Sequence, residues 1–347
     1  NPHPEKPRPG FWVSPPIKNM AKGRMLRKTL PSPSVDSFTN PSSTGKISLL
    51  FNQRMNTIRD CHGTKKMNSA TDITVTPLTP FIGAEISGVD LAQNLTDDAF
   101  EIIHQALLDN LVLLFRGQDI PPTAQIKFTE RFGAVEGHPL KARKGHPEFD
   151  NLLALENKPE LRGARNDFWH SDISCAAEPP ALAFLQALTV PEGKGDTMFC
   201  NMYRAWDELA PDLKEKFDAL TASHSGEAIR RRNTAADTDG NQDMTVPPAE
   251  THPVVRRHPE TGRRALYTNR FFTTNFTGMS VEESAPLLEA IEEQATQADN
   301  IYRHSWRAGD TLLWDNRCTM HYAFYDYDES EPRLMHRTTA AGDRPQA

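Results

Sequence analysis

The run Phe168-Trp169-His170-Ser171-Asp172 is answered far downstream by His321 and then by Arg333. In extended chain, residues i and i+2 point to one face, so a strand through this run offers the His170 imidazole and the Asp172 carboxylate to one point. His321 would complete two histidines and one carboxylate on one side of a metal ion, leaving the opposite positions open. That is the ligand set expected of a non-haem Fe(II) oxygenase. Two alternatives use the same residues. Zn2+ also accepts two histidines and an aspartate with an open position, which would make a hydrolase; a cupin-like binding protein would hold the metal without catalysis. A lone His-x-Asp arises readily by chance in a chain with 12 His, so its surroundings must carry the argument.

The elements that would position these residues begin near Asp72. Ile73-Thr74-Val75-Thr76 alternates as a strand, and Phe81 to Ile86 reads as another, ending at Gly88. Thr96 caps a helix whose first turn holds Asp97 and Asp98 and whose apolar stripe is Phe100, Ile103 and Leu107, with Ile102 alongside. Leu111 to Phe115 is a buried strand, and a second helix follows Pro121-Pro122 and stops at Gly133. Beyond the His-x-Asp run come strands at 181–187 and 197–200, then helices at 202–209 and 211–221. Residues 226–250 are polar and irregular, as expected of a lid or insertion. Pro259-Glu260-Thr261-Gly262 turns a hairpin between 254–256 and 265–267, and Ser280 with Glu283 forms a capping box for a helix reaching about Thr296. Three closing strands fit 301–306, 311–314 and 333–340. Many short strands with a few helices outside them predict a mostly β chain folded as a double-stranded β-helix, the jelly-roll barrel of cupins.

Composition narrows the partners. The 347 residues are 37% hydrophobic and 24% charged, with a net charge of −7, which does not call for nucleic acid. Nothing approaches the run of about 18 apolar residues that a membrane span needs. Cys61, Cys175, Cys200 and Cys318 lack CxxC spacing and read as reduced thiols of a cytoplasmic protein; homo-oligomerisation stays open. Residues 1–66 hold seven Lys and five Arg against two Asp and one Glu, a balance of +9 that leaves −16 on the rest. This Pro- and Ser-rich stretch buries too little apolar surface to offset its chain entropy, so it is expected to be disordered, with the working domain at 67–347 starting near Met67. A transit peptide and a basic nucleic-acid-binding arm are the other readings of it.

Around His321 the text runs Trp314-Asp315-Asn316-Arg317-Cys318-Thr319-Met320-His321-Tyr322-Ala323 and then Arg333-Leu334-Met335-His336-Arg337. With Asn166-Asp167-Phe168-Trp169-His170-Ser171-Asp172 and Gly195-Asp196-Thr197, it resembles the taurine dioxygenase and dichlorophenoxyacetate dioxygenase family from about Thr76 to Pro345. The resemblance implies Fe(II) as metal, 2-oxoglutarate as cosubstrate and O2 as oxidant. It makes His170, Asp172 and His321 the iron ligands, and it sets Arg333 and the Thr197 hydroxyl on the distal carboxylate of 2-oxoglutarate. A guanidinium suits that place, being a planar fork that meets a carboxylate with two bonds. The plain alternatives are a surface pair of Arg333 with Glu331 or Asp328, worth under about 1 kcal/mol, and a Thr197 present for its β-propensity.

By the same resemblance, Arg337 and His138 would hold the anionic head of a small organic substrate, Asn166 would lie near a taurine amine, and Phe272 would form an aromatic wall. Arg333, Met335 and Arg337 share one face of a strand, and His336 faces away. The chain departs from the taurine pattern at Lys141, where the family enzyme has a tyrosine, and at Gly226, which replaces a phenylalanine. Losing two rings predicts a wider pocket and a larger anion than taurine; residues 202–224 resemble phenoxypropionate-type members and point the same way. The implied reaction turns 2-oxoglutarate into succinate and CO2 while hydroxylating a C–H carbon. A carbon bearing a sulfonate, sulfate or aryloxy group would then shed it, as in taurine catabolism.

Overall fold

Period-two alternation divides the central strands between two cores. The computed structural model describes residues 70–137, 146–158, 165–235, 246–328 and 330–347. Within Val112–Phe115, the side chains of Val112 and Leu114 enter one apolar cluster and those of Leu113 and Phe115 another. Thr311–Asp315 splits likewise, Leu312 and Trp314 against Leu313, and so does Leu182–Thr189, Ala183 and Leu185 against Leu182 and Phe184. Both faces are covered, which is why these strands read as unbroken apolar runs.

These strands lie in one seven-stranded sheet, in the order Thr74–Pro77, Ala84–Ser87, Val112–Phe115, Thr311–Asp315, Leu182–Thr189, Arg333–Ala340 and Leu153–Asn157. Its outer cluster is closed by Ile103 and Leu107 of the helix Asp97–Asn110 and by Phe128 of the helix Pro122–Glu130. Its inner cluster takes in Phe199, Cys200 and Met320 from a three-stranded sheet ordered Ile301–His304, Thr197–Asn201, Thr319–Ala323. The result is the expected jelly roll, with the helices Asp97–Asn110 and Pro122–Glu130 on the outer face of its larger sheet. Truncating a fully buried inner leucine such as Leu312 would cost about 2–5 kcal/mol.

Local signals are realised closely. Thr96 Oγ1 accepts from the Ala99 N–H at 3.2 Å. The capping box of Ser280 and Glu283 opens the helix Val281–Ala295. The hairpin pairs Val255–Arg257 with Arg264–Leu266. Two expectations are corrected, and one strand is added. The His-x-Asp run is not a continuous strand, because His170 makes a single bridge to His321 and the chain turns at once. Residues Glu227–Ala235 of the supposed irregular segment form a helix, whereas 236–245 lie outside the described residues. The strand Thr319–Ala323, which carries His321, was not foreseen. Residues 1–66, Met67, His138 and Lys141 also lie outside the described residues.

Candidate active site

Backbone pairing sets the two histidines side by side. The His170 N–H donates to the His321 carbonyl at 3.0 Å and the His321 N–H donates back at 2.8 Å, so the ring centroids stand 4.1 Å apart. His170 Nδ1 lies 2.9 Å from the Phe168 carbonyl, which fixes the proton there and leaves the Nε2 lone pair free. Asp172 reaches the same point from a turn. Its Oδ1 is 4.0 Å from His170 Nε2 and 3.8 Å from His321 Nε2, too far to bond either. Ligand atoms of the three residues lie within 4.8 Å of one another, and all three residues are buried. Neither Nε2 has a hydrogen-bond partner among the described residues.

The turn is held from behind. Asn316 Oδ1 accepts from the Asp172 N–H at 2.7 Å, and its Nδ2 donates to the Asp172 carbonyl at 3.0 Å. The clamp secures a strained backbone, since Ile173 has φ +45°, a region a β-branched residue avoids at a cost of about 1–3 kcal/mol. Arg337 Nη2 sits 2.6 Å from Asp172 Oδ2, leaving Oδ1 for a metal. Burial would raise the Asp172 carboxyl, but the Arg337 guanidinium holds it well below the usual carboxylate range. Burial lowers both His170 and His321, so both are neutral, as a metal requires. The arrangement could therefore offer a metal ion two neutral imidazoles and one carboxylate.

Arg333 faces no carboxylate among the described residues. Glu331 instead takes Lys194, at 2.7 Å, and Asp328 takes Ser330. The Arg333 Nε is buried without a partner, and the guanidinium stands 5.7 Å from the Tyr327 ring centroid. Gly195 makes room for both: it has φ +69°, and a Cβ there would lie 3.1 Å from the Tyr327 ring and 3.5 Å from Arg333 Nε. Two residues on, Thr197 is 4% exposed and its Oγ1 accepts from Trp306 Nε1 at 3.0 Å. A half-buried cation whose Nε is enclosed, with no counter-ion among the described residues, beside a strand that begins with a buried hydroxyl is a fitting receptacle for a carboxylate.

Ile173, Cys175 and Phe272 form an apolar wall beside Asp172, with Phe271, Ile229 and Val246 packed against it. The Phe272 ring centroid is 6.4 Å from that of His170. Asn166 is half-buried, and its carbonyl accepts from the Ala323 N–H at 3.1 Å. Gly226 does not widen this wall. A Cβ there would come 2.5 Å from Val246 Cγ1 and 3.3 Å from Cys175 Sγ, so the space left by the missing ring is already filled.

Residues that the motif reading did not single out do much of the positioning. Asn316 and Trp306 are the chief ones; Asn316 lay within the quoted Trp314-to-Arg317 stretch, but nothing in its spacing gives the clamp. A second buried cluster, His258, Asp315 and Cys318, also brings ligand atoms within 4.8 Å. There His258 Nε2 is 3.0 Å from Asp315 Oδ2, and Arg317 donates to both Asp315 oxygens at 2.9 and 2.6 Å.

With this geometry in hand, comparison with known proteins is specific. The model of the family described as taurine catabolism dioxygenase TauD, TfdA matches residues 74–339. An alkylsulfatase from Acinetobacter baylyi is 35% identical over 283 residues, spanning 80% of this chain and 87% of the relative. An alpha-ketoglutarate-dependent 2,4-dichlorophenoxyacetate dioxygenase from Cupriavidus pinatubonensis is 33% identical over 287 residues, 78% of this chain and 98% of that one. The crystal structure of AAD-2 in complex with Mn(II) and N-oxalylglycine, a 2-oxoglutarate analogue, matches with a TM-score of 0.67 at 32% identity, covering 79% of this chain and 99% of that chain. The jelly roll, the buried pair of histidines with an aspartate and these matches together make the chain a member of the TauD/TfdA family of Fe(II)- and 2-oxoglutarate-dependent dioxygenases.

Proposed function

We propose that this chain hydroxylates a small organic anion bearing a sulfate ester or aryloxyalkanoate group, with 2-oxoglutarate and O2 as cosubstrates and succinate and CO2 as co-products. The observation that carries the reading is the convergence of His170 Nε2, Asp172 Oδ1 and His321 Nε2 on one point with no protein partner to satisfy them. These atoms hold Fe(II). Bound iron with 2-oxoglutarate and O2 supplies the oxidative decarboxylation that is coupled to inserting one oxygen atom into a substrate C–H bond. The protein's share is orientation. Arg333 and Thr197 grip the distal carboxylate of 2-oxoglutarate, while Arg337 fixes Asp172 through Oδ2 and keeps a buried Nε without a partner for the substrate's anionic head.

The hydrocarbon part of the substrate lies against Ile173 and Phe272, with Asn166 at the rim and His138 assisting the anion. An alkylsulfatase and an aryloxyalkanoate-type dioxygenase among the relatives support an anion with an apolar body, of which taurine would be a small example. Hydroxylation of a carbon bearing the sulfate or aryloxy oxygen gives a product that collapses to a carbonyl compound and releases that group. The working domain is placed at 67–347, supported by a family match that begins at residue 74. No helix among the described residues is long and apolar enough to cross a membrane. The described cysteines are buried free thiols, which supports a cytoplasmic location.

A panel of alkyl sulfates, aryloxyalkanoates and taurine, scored by succinate formed per 2-oxoglutarate consumed, tests the reading. Substrate-dependent succinate with one of the first two classes is the expected result. Turnover with taurine alone would overturn the substrate class, and no 2-oxoglutarate consumption with any of them would overturn the reaction.

A further inference from the structure

Thr197 meets its presumed ligand in a state set by another residue. A hydroxyl has one proton to give and two lone pairs to accept with, and its rotor ordinarily adapts to whatever is near. Here the indole N–H of Trp306 takes one lone pair at 3.0 Å, and both residues are buried, 5% and 4% exposed. An indole nitrogen only donates, so the direction of this bond does not depend on where hydrogens are placed. The Thr197 hydroxyl has no other hydrogen-bond partner among the described residues. Its proton is thus left for an acceptor, and Arg333 Nε lies only 3.5 Å from where a Cβ would stand on Gly195, two residues before Thr197.

The indole is itself locked. The His304 ring stands edge-on to it, centroids 4.6 Å apart at 88°. His304 is held in turn by the Tyr302 hydroxyl at 2.9 Å and by Asp310 at 3.2 Å, and Asp310 is anchored by Arg116 at 2.8 Å. His304 is also the register partner of Thr197 across the small sheet, so ring and hydroxyl are carried by one strand pair. Trp306 also packs within the inner apolar cluster and lines a cavity of about 740 Å³ with Arg303 and Arg307, so the test below must separate packing from the hydrogen bond.

We propose that Trp306 is a positioning residue for the cosubstrate: by donating to Thr197 it commits that hydroxyl to act as a donor, and so tightens binding of the distal carboxylate of 2-oxoglutarate. The inference rests on the reading of Thr197 given above. Trp306 touches no reacting atom, so it should alter cosubstrate affinity and leave kcat at saturating 2-oxoglutarate near the parent value.

The test is a double-mutant cycle read by binding, not turnover: calorimetric titration of 2-oxoglutarate into Mn(II)-loaded protein without O2, for the parent, Trp306→Phe, Thr197→Val and the double variant. Loss of one neutral hydrogen bond predicts a roughly three- to tenfold weaker Kd for Trp306→Phe, and little further loss when it is added to Thr197→Val. An unchanged Kd for Trp306→Phe beside a weakened Thr197→Val would overturn the role of Trp306 and keep that of Thr197. An unchanged Kd for Thr197→Val would overturn the reading of Thr197 and this inference with it. Equal losses from Trp306→Phe in both backgrounds would mean that the indole acts by packing, which also overturns it. Should Trp306→Phe not fold, the benzothienyl analogue of tryptophan at position 306, equal in size but without the N–H, carries the same predictions.

Discussion

Two buried clusters in this protein have nearly the same composition and opposite chemistry. His170, Asp172 and His321 stand together at the mouth of the barrel; His258, Asp315 and Cys318 stand together where the strand Thr311–Asp315 ends. In the second, His258 Nδ1 accepts from the N–H groups of Glu260 and Thr261, its Nε2 donates to Asp315, and Arg317 takes both carboxylate oxygens. Burial pushes the Cys318 thiol well above its ordinary pKa, so it stays protonated. Every ligand atom there is already satisfied. In the first cluster the two Nε2 atoms and Asp172 Oδ1 lack such partners, as does His321 Nδ1, and the hydrogen bonds that exist hold the His170 ring at Nδ1 and the backbones of Asp172 and His321. What separates a metal site from a structural node is the state of the partners, not the residue types.

The largest expected effects fall on opposite sides of that comparison. Asp315→Ala would leave Arg317 with Glu260 alone and His258 Nε2 without its acceptor, and breaking a buried pair in this way costs about 3–5 kcal/mol. Urea titration should show the loss in the midpoint, with little protein left folded at elevated temperature. His321→Ala, His170→Ala and Asp172→Ala should each abolish turnover, and the two histidine variants should lose much less of the midpoint than Asp315→Ala, because they break no buried ion pair. Equal destabilisation by Asp315→Ala and His321→Ala would erase the distinction.

Next in size is the cosubstrate end. Arg333→Lys replaces a two-pronged donor with a point charge and should raise the 2-oxoglutarate requirement roughly ten- to a hundredfold. Steady-state kinetics in 2-oxoglutarate would show it; an unchanged requirement would move the role to another cation, with Arg337 first in line.

A smaller effect comes from the wall behind Asp172, where His224 Nδ1 lies 3.1 Å from Ser174 Oγ and His252 Nε2 lies 2.9 Å from the Ala176 carbonyl. Burial, with His252 beside it, pushes His224 down to about 3, and burial lowers His252 as well. Below about pH 6.5 the unfolded chain takes up a proton that the folded His224 refuses until about pH 3. Stability is therefore full above pH 6.5 and falls as the medium is acidified, by at most about 1.4 kcal/mol per pH unit for this group. Denaturation midpoints at pH 7.5, 6.0 and 5.0 should slope less steeply in His224→Gln than in the parent; identical slopes would contradict the account.

Local signals were legible in the sequence, and so was the chemistry. The Thr96 cap, the Ser280–Glu283 box and the turn at Pro259-Glu260-Thr261-Gly262 each depend on neighbours within four residues. His170, Asp172, His321 and Arg333 stood out as residue types suited to an ion and a carboxylate, and the structure brings the first three together. What was hidden is long-range. The strand bearing His321 reads Thr-Met-His-Tyr-Ala without alternation, since both of its faces are covered over its first half. Ile173 in a left-handed conformation violates its own propensity and exists because Asn316, far along the chain, clamps Asp172. Gly226 looked like a vacancy because its filler, Val246, comes from another part of the loop. The smallest effect expected is therefore from Gly226→Ala, which requires Val246 to move and should lower the midpoint slightly without changing which anions turn over. Gly226→Phe, unable to fit, should impair folding instead of narrowing specificity.

The most direct measurement is metal stoichiometry. Anaerobic titration of Mn(II), followed by its electron paramagnetic resonance, should find one ion per chain in the parent and in Cys318→Ser, and none held by His321→Ala. Binding that survives His321→Ala, or is lost in Cys318→Ser, would contradict the claim that the unsatisfied cluster alone is the metal centre.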